Sequence, residues 1–168
     1  MNHLDYFMGM AKLASERSTC LRRKVGAVAV KQDRLIATGF NGQVSGTPHC
    51  SVCIRETKSI PSGTDLTTCF SVHAEQNLLV QASLYGISLE GSTIYVTNKP
   101  CFTCIKLLAS VKPLAIIYHD DYPDSMTQEF MERAEWISTR DVDTGVTVLI
   151  PPKSFDLRIS RILRGFSD

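Results

Sequence analysis

Four residues of this sequence have the types and spacing of a metal-centred reaction site. They are His73 and Glu75 in the run His73-Ala74-Glu75, and Cys101 and Cys104 in the run Pro100-Cys101-Phe102-Thr103-Cys104. One imidazole and two thiols are ligands that zinc favours, and a catalytic zinc ordinarily takes three protein ligands and leaves its fourth position to water. The ion lowers the pKa of that water from ~15.7 toward ~7, which makes a nucleophile available at neutral pH. Glu75, two residues from the histidine, is left free to move protons. The alternative is a structural zinc, because C-x-x-C with a distant histidine is also how zinc ribbons and fingers are written. A structural site is normally closed by a fourth cysteine or histidine, and it has no use for the glutamate.

The elements around these residues favour the catalytic reading. Thr93 to Thr97 is predicted as a buried strand and Phe102 to Val111 as a helix with Pro100 just before its start. The cysteine pair therefore lies at a strand-to-helix junction, where N–H groups and the positive helix end stabilise thiolates. A second helix opens at His73, so two helix starts face one metal.

Elsewhere, Leu4 to Arg17 has apolar residues at helical spacing. Val25 to Val30 and Leu35 to Phe40 read as strands joined by the polar turn Lys31 to Arg34, a hairpin. A strand over Leu114 to His119, a helix from about Met126 to Ile137 and a strand over Val146 to Ile150 follow, with Pro151 and Pro152 ending the last. Arg158, Arg161 and Arg164 recur at three-residue spacing in the tail. Strands alternating with helices after a hairpin indicate a three-layer α/β/α domain with a mixed sheet of about five strands. Residues 43–70 interrupt this pattern with Gly46, Pro48, Pro61 and Gly63, few apolar runs and three cysteines. An irregular segment of that length in a compact domain is usually functional.

At 168 residues the chain is expected to form one domain, 1–168, with 43–70 as its cysteine-containing insertion. No stretch approaches the ~20 apolar residues of a membrane span. The first residues lack the basic and apolar regions of an export signal. A cytoplasmic protein with reduced thiols is the expectation. The net charge of +1 lacks the basic excess common in nucleic-acid-binding domains, which favours a small ligand over a polymer.

The joined pattern H-x-E…P-C-x-x-C is the signature of zinc-dependent nucleobase deaminases. With its helix, hairpin, His-Ala-Glu helix, strand and Cys-x-x-Cys helix in this order, the chain resembles the cytidine deaminase superfamily. More narrowly it resembles the deoxycytidylate (dCMP) deaminases. The narrower likeness rests on Tyr6-Phe7-Met8, Arg17-Ser18-Thr19-Cys20, Val25-Gly26-Ala27, Gly39-Phe40-Asn41-Gly42, His73 to Asn77, Ile94-Tyr95-Val96, Pro100 to Cys104 and Tyr122-Pro123-Asp124-Ser125. It extends over most of the chain to about residue 125 and is weak beyond Ile150.

The resemblance implies hydrolytic removal of the 4-amino group of dCMP, giving dUMP and ammonia as a step toward thymidylate. Glu75 would take a proton from water, protonate N3 while water attacks C4, and then hand the proton to the departing amine. The backbone N–H of Ala74 would hold the base carbonyl. Asn41 is either a contact to sugar or base, as in the superfamily, or a turn residue of the pair Asn41-Gly42. A monophosphate needs cations, and Arg22, Arg23 and Lys24 are nearest in sequence; their plainer reading is a solvated helix-to-strand turn. Tyr122 would stack on deoxyribose or base, or else close the core as a loop aromatic.

Relatives in this family that carry a second, structural zinc use a cysteine at the place of Cys20 and one in the insertion. Ser71 stands where certain relatives offer a carboxylate, so the ligand set here must differ. The set expected is Cys20, Cys50, Cys53 and Cys69, with His49 as substitute ligand; buried or free thiols are the alternative. The family's homohexamers, activated by dCTP and inhibited by dTTP, imply an effector site at Phe40, Asn41, Gly42 and Gly46, with Mg²⁺ accompanying the triphosphates. Competing readings are a deaminase of another cytosine nucleotide or nucleoside, a tRNA or polynucleotide deaminase, and a zinc-stapled binding module without catalysis. Glu75 separates the last from the others.

Overall fold

Leu4, Phe7, Met8 and Ala11 fall on one side of helix α1 (His3–Ser15) and are all buried. The Asn2 side chain caps the start of this helix by accepting from the Asp5 N–H at 2.8 Å. The computed structural model describes residues 2–152, and Arg158, Arg161 and Arg164 lie outside them. Strands β1 (Gly26–Lys31) and β2 (Arg34–Phe40) form the hairpin predicted from the polar turn. Gln32 and Asp33 at its tip have φ of 51° and 60°, the left-handed pair that matches strand twist in a two-residue turn.

After β2 the chain leaves on its insertion and returns at the point of departure. Gly42 and Val72 form an isolated antiparallel bridge, with Gly42 N–H donating to the Val72 carbonyl at 3.1 Å and Val72 N–H to that of Gly42 at 2.8 Å. Between them the insertion has a one-turn helix α2 (Ile54–Thr57) and a 3₁₀ turn at Leu66–Thr68, local order the sequence did not announce.

Helix α3 (Ala74–Leu84), strand β3 (Thr93–Asn98), helix α4 (Phe102–Ser110) and strand β4 (Ala115–Asp120) follow. Strands β3 and β4 pair in parallel, which requires a crossover, and α4 supplies it. Helix α5 (Ser125–Arg133), strand β5 (Ile137–Arg140) and strand β6 (Thr147–Ile150) complete the described residues. The sheet order is β2-β1-β3-β4-β6-β5, antiparallel except at β3–β4.

The sheet has six strands rather than the five expected. The sixth comes from the end of the helix predicted to reach Ile137, which stops at Arg133. Glu135 has a positive φ of 56°, a value that breaks a helix, and Ile137 begins β5. Every residue of β5 is exposed, so it has no apolar alternation to advertise a strand.

The layers are those expected. Leu78, Ala82, Ile105, Leu108 and Met131 from α3, α4 and α5 are buried against Ala29, Ile94, Val96, Ile116 and Leu149 on one face of the sheet. On the other face Phe7, Met8 and Ala11 of α1 meet Val28, Val30, Tyr95 and Ile117. Gly39 fixes the approach of α3, because a Cβ there would fall on the Ala74 carbonyl oxygen. The first turn of α3 thus lies directly on β2.

Candidate active site

His73, Cys101 and Cys104 bring their ligand atoms within 4.8 Å of one another, and they are the one such convergent group of three or more among the described residues. The His73 Nδ1 lies 3.4 Å from the sulfur of Cys101 and 3.4 Å from that of Cys104. Two ligands on one tetrahedral zinc, with Zn–N of about 2.0 Å and Zn–S of about 2.3 Å, would stand about 3.5 Å apart. Donor set and spacing both fit the ion.

Each ligand is placed by a helix start. His73 is the N-cap of α3, held by its backbone N–H donating to the Gln76 side chain at 2.9 Å. Cys101 is the N-cap of α4, and Cys104 lies in the first turn of that helix. The α4 start is tied to α5 through Asp124: one carboxylate oxygen accepts from the Phe102 N–H at 2.8 Å, the other from the Thr127 N–H at 3.2 Å. The buried Thr127 hydroxyl donates to the Pro100 carbonyl at 3.2 Å.

The electrostatics single out Glu75. Its side chain is 4% exposed, and burial pushes the carboxyl up to about 7, against the pull of nearby His73. Cys101 is lowered to about 4, first by the Cys104 thiol beside it and also by His73. Cys104 is correspondingly raised by Cys101, by burial and by Glu75. The His73 imidazole is raised by Cys101, against burial. A divalent cation among the three would stabilise both sulfurs as thiolates and draw Glu75 toward its ionised form.

A model of the family described as "Cytidine and deoxycytidylate deaminase zinc-binding region" matches residues 1–120. The chain belongs to this family. Deoxycytidylate deaminase of Schizosaccharomyces pombe is 36% identical over 133 residues, covering 77% of this chain but only 41% of that protein, so the chain spans less than half of its length. Deoxycytidylate deaminase of Mycobacterium phage D29 is 40% identical over 119 residues, covering 68% of this chain and 91% of the relative. The crystal structure of dCMP deaminase from the cyanophage S-TIM5 in complex with dCMP and dUMP superposes with a TM-score of 0.65 at 30% identity, over 77% of this chain and 90% of that one.

His73 and Cys101 open onto a cleft, and the structure sorts the residues expected around it. Arg22, Arg23, Asn41, Ala74, Glu75 and Tyr122 line the cleft, as do Cys20 and Cys69. Lys24 does not; it is exposed and pairs with Glu16 at 2.9 Å. Asn41 is buried and knits the strand ends. Its Oδ1 accepts from the Ser18 hydroxyl at 2.7 Å and the Val25 N–H at 2.8 Å, and its Nδ2 donates to the Arg23 carbonyl at 2.7 Å. Tyr122 has the Arg23 guanidinium 5.1 Å from its ring centre and accepts from the Gly63 N–H at 3.0 Å. Ala74 is the first residue of α3, where no intrahelical carbonyl takes its N–H.

The thiols of Cys20, Cys50, Cys53 and Cys69 are half-buried and unbridged. They do not converge on a point as the His73 group does, and His49 is exposed. Gln43 reaches between them, donating to the Cys50 sulfur at 2.7 Å and the Ser71 hydroxyl at 3.4 Å. Around the expected effector turn, Asn41 and Gly42 are buried, Phe40 is partly buried, and Gly46 sits at a positive φ of 83° in an exposed stretch.

Sequence reading missed three contributors. Asp124, which the sequence marks only by its likeness to the family, ties the start of α4 to α5. Lys99 lines the cleft with its Nζ 3.6 Å from Asp121. Arg55, from the one-turn helix of the insertion, also lines it and is 5% exposed. The signal available for Arg55 was one of two cations, with Lys58, inside a stretch read as irregular, which is too little to find it.

Proposed function

We propose that the protein is a zinc-dependent deaminase that hydrolyses dCMP to dUMP and ammonia. The observation that carries this reading is the buried Glu75 carboxyl beside the His73, Cys101 and Cys104 group, at one end of a cleft whose walls carry Arg22 and Arg23. The relatives named as deoxycytidylate deaminases support the choice of base and phosphate.

Zinc held by His73, Cys101 and Cys104 supplies Lewis acidity that makes water nucleophilic near neutral pH. Glu75 removes a proton from the attacking water and delivers it to N3 as C4 becomes tetrahedral. It then carries the second water proton to the 4-amino group, which leaves as ammonia. With the ion bound Glu75 is drawn toward its carboxylate, the form that accepts the first proton, and burial holds it beside the reacting atoms for both transfers. The Ala74 N–H donates to the base carbonyl. Asn41 holds the Arg23 backbone in place and offers its remaining amide hydrogen toward the sugar. Tyr122 covers the sugar, and Arg22 and Arg23 receive the phosphate by charge-assisted hydrogen bonds.

The same proposal includes a homohexamer, activation by dCTP with Mg²⁺ and inhibition by dTTP at the Phe40 to Gly46 turn, and a cytoplasmic location. No helix of the described residues is long and apolar enough to cross a membrane. It also includes a second, structural zinc on Cys20, Cys50, Cys53 and Cys69, or with His49 substituting, read from four half-buried and unbridged thiols. Binding it requires these sulfurs to draw together.

Ammonia release from dCMP, dCTP, cytidine, deoxycytidine and tRNA tests the central reading. dCMP should be turned over well above deoxycytidine, with tRNA negligible. Equal kcat/KM for dCMP and deoxycytidine would remove the phosphate site from the proposal, and preference for tRNA would replace it.

A further inference from the structure

A buried guanidinium needs compensation, because removing a charge from water costs several kcal/mol even after relaxation. Arg55 is buried, yet no carboxylate of the described residues forms a salt bridge with it. Its partners are neutral. One Nη donates to the Asp65 carbonyl, and the other to the carbonyls of Pro61 at 2.9 Å and Thr64 at 2.6 Å. These use three of the five N–H donors of an arginine; the Asp65 carboxylate feels the Arg55 charge, but it is exposed and forms no salt bridge with it.

This guanidinium, buried without a salt bridge, faces a cleft already rich in cations. Arg22 donates to the Ser62 hydroxyl at 3.4 Å, and Arg23 lies over Tyr122; neither forms a salt bridge among the described residues. Lys99, the other cation lining the cleft, is matched by Asp121. Among the described residues the one carboxylate lining the cleft is Glu75, which sits beside His73 and Cys101. Among the described residues, three guanidiniums that form no salt bridge therefore line a cleft whose one carboxylate stands beside His73. A phosphate monoester, with a charge of about −1.5 to −2, is the group that balances them.

We infer that Arg55 is a specificity-determining residue for the 5′-phosphate, joining Arg22 and Arg23 across the cleft while its other donors fold residues 61–65 around it. The inference rests on the dCMP reading and adds that the insertion is a working wall of the substrate site. Phosphate binding and ordering of the insertion are then one event. The ligand satisfies the charge that the loop carbonyls leave exposed, and the loop in turn holds Ser62 against Arg22 and Gly63 against Tyr122.

Two measurements test it. Arg55→Gln removes the charge but keeps an amide donor for the loop carbonyls. It should lower kcat/KM for dCMP by about 10- to 100-fold, the range of a charged hydrogen bond, and leave deoxycytidine within about twofold. An equal fall for both substrates would make Arg55 a purely structural hub and overturn the inference, as would an unchanged dCMP value. The second measurement needs neither a variant nor turnover. In zinc-loaded wild-type protein, inorganic phosphate at matched ionic strength should slow hydrogen exchange of amides 62–65, and chloride should not. No difference between the two salts refutes the coupling even if Arg55→Gln fails to fold. Wild-type protein inactive on every cytosine substrate, yet protected by phosphate, would reject the deaminase reading and keep the anion site.

Discussion

Asp124 holds Phe102: its carboxylate accepts from the N–H one residue past Cys101, at 2.8 Å, and with its other oxygen caps α5. One side chain thus fixes the angle at which the Cys101–Cys104 turn presents its sulfurs. Groups that orient metal ligands from behind typically contribute 10- to 100-fold in metal affinity. Asp124→Ala should weaken zinc binding by about that factor and lower stability by about 1–2 kcal/mol through the lost cap. Competition with a zinc chelator measures the first and denaturant unfolding the second; wild-type values in both would free Asp124 of this role.

Glu75→Gln should keep the zinc and lose turnover by at least about 10²–10⁴-fold, because the proposed reaction gives this residue two proton transfers. His73→Ala should lose the metal itself. Elemental analysis beside ammonia release separates the two outcomes, and an active Glu75→Gln protein would remove Glu75 from the chemistry.

Much of this centre was legible because its determinants are local. His73, Cys101 and Cys104 each sit at a helix start that the neighbouring sequence announces, and Glu75 follows from its spacing alone. The exposed β5 had no pattern to read, and the helix expected to fill its place ended early. Arg55 and Asp124 act across the fold, so their roles appear only when distant segments meet. The Arg22-Arg23-Lys24 run shows the same limit. Three adjacent cations look alike in sequence, but Lys24 points to Glu16 while its neighbours face the cleft.

That division gives a prediction within one tripeptide. Arg23→Gln should narrow the preference for dCMP over deoxycytidine by about tenfold or more, whereas Lys24→Gln should leave it unchanged. The Lys24–Glu16 pair is exposed, and such pairs contribute little to stability. Steady-state kinetics on both substrates decide it; a large effect at Lys24 would mean that the cleft is read wrongly.

Gly39→Ala should be costly although the added group is one methyl. The new Cβ would meet the Ala74 carbonyl, so α3 must move off β2 and carry His73 and Glu75 with it. Overpacking of this kind costs about 1–3 kcal/mol. Unfolding midpoints should fall, and kcat should fall with them; a stable, fully active variant would show that the contact can relax without moving the helix.

If the second zinc is present, purified protein should hold about two zinc ions per chain, since four-ligand structural sites bind tightly. Cys50→Ser or Cys69→Ser should bring this toward one while sparing the catalytic metal. One ion per chain in fully active wild-type protein would remove the second site.

The bridge between Gly42 and Val72 ties the two feet of the insertion together before His73 begins. A loop anchored in this way can change length cheaply, as each doubling adds only about 0.6 kcal/mol of closure entropy. Selection can therefore lengthen, shorten or exchange everything between the feet without disturbing the proton chemistry behind them. The scaffold keeps its reaction while the module between Gly42 and Val72 is free to diversify what is admitted to it.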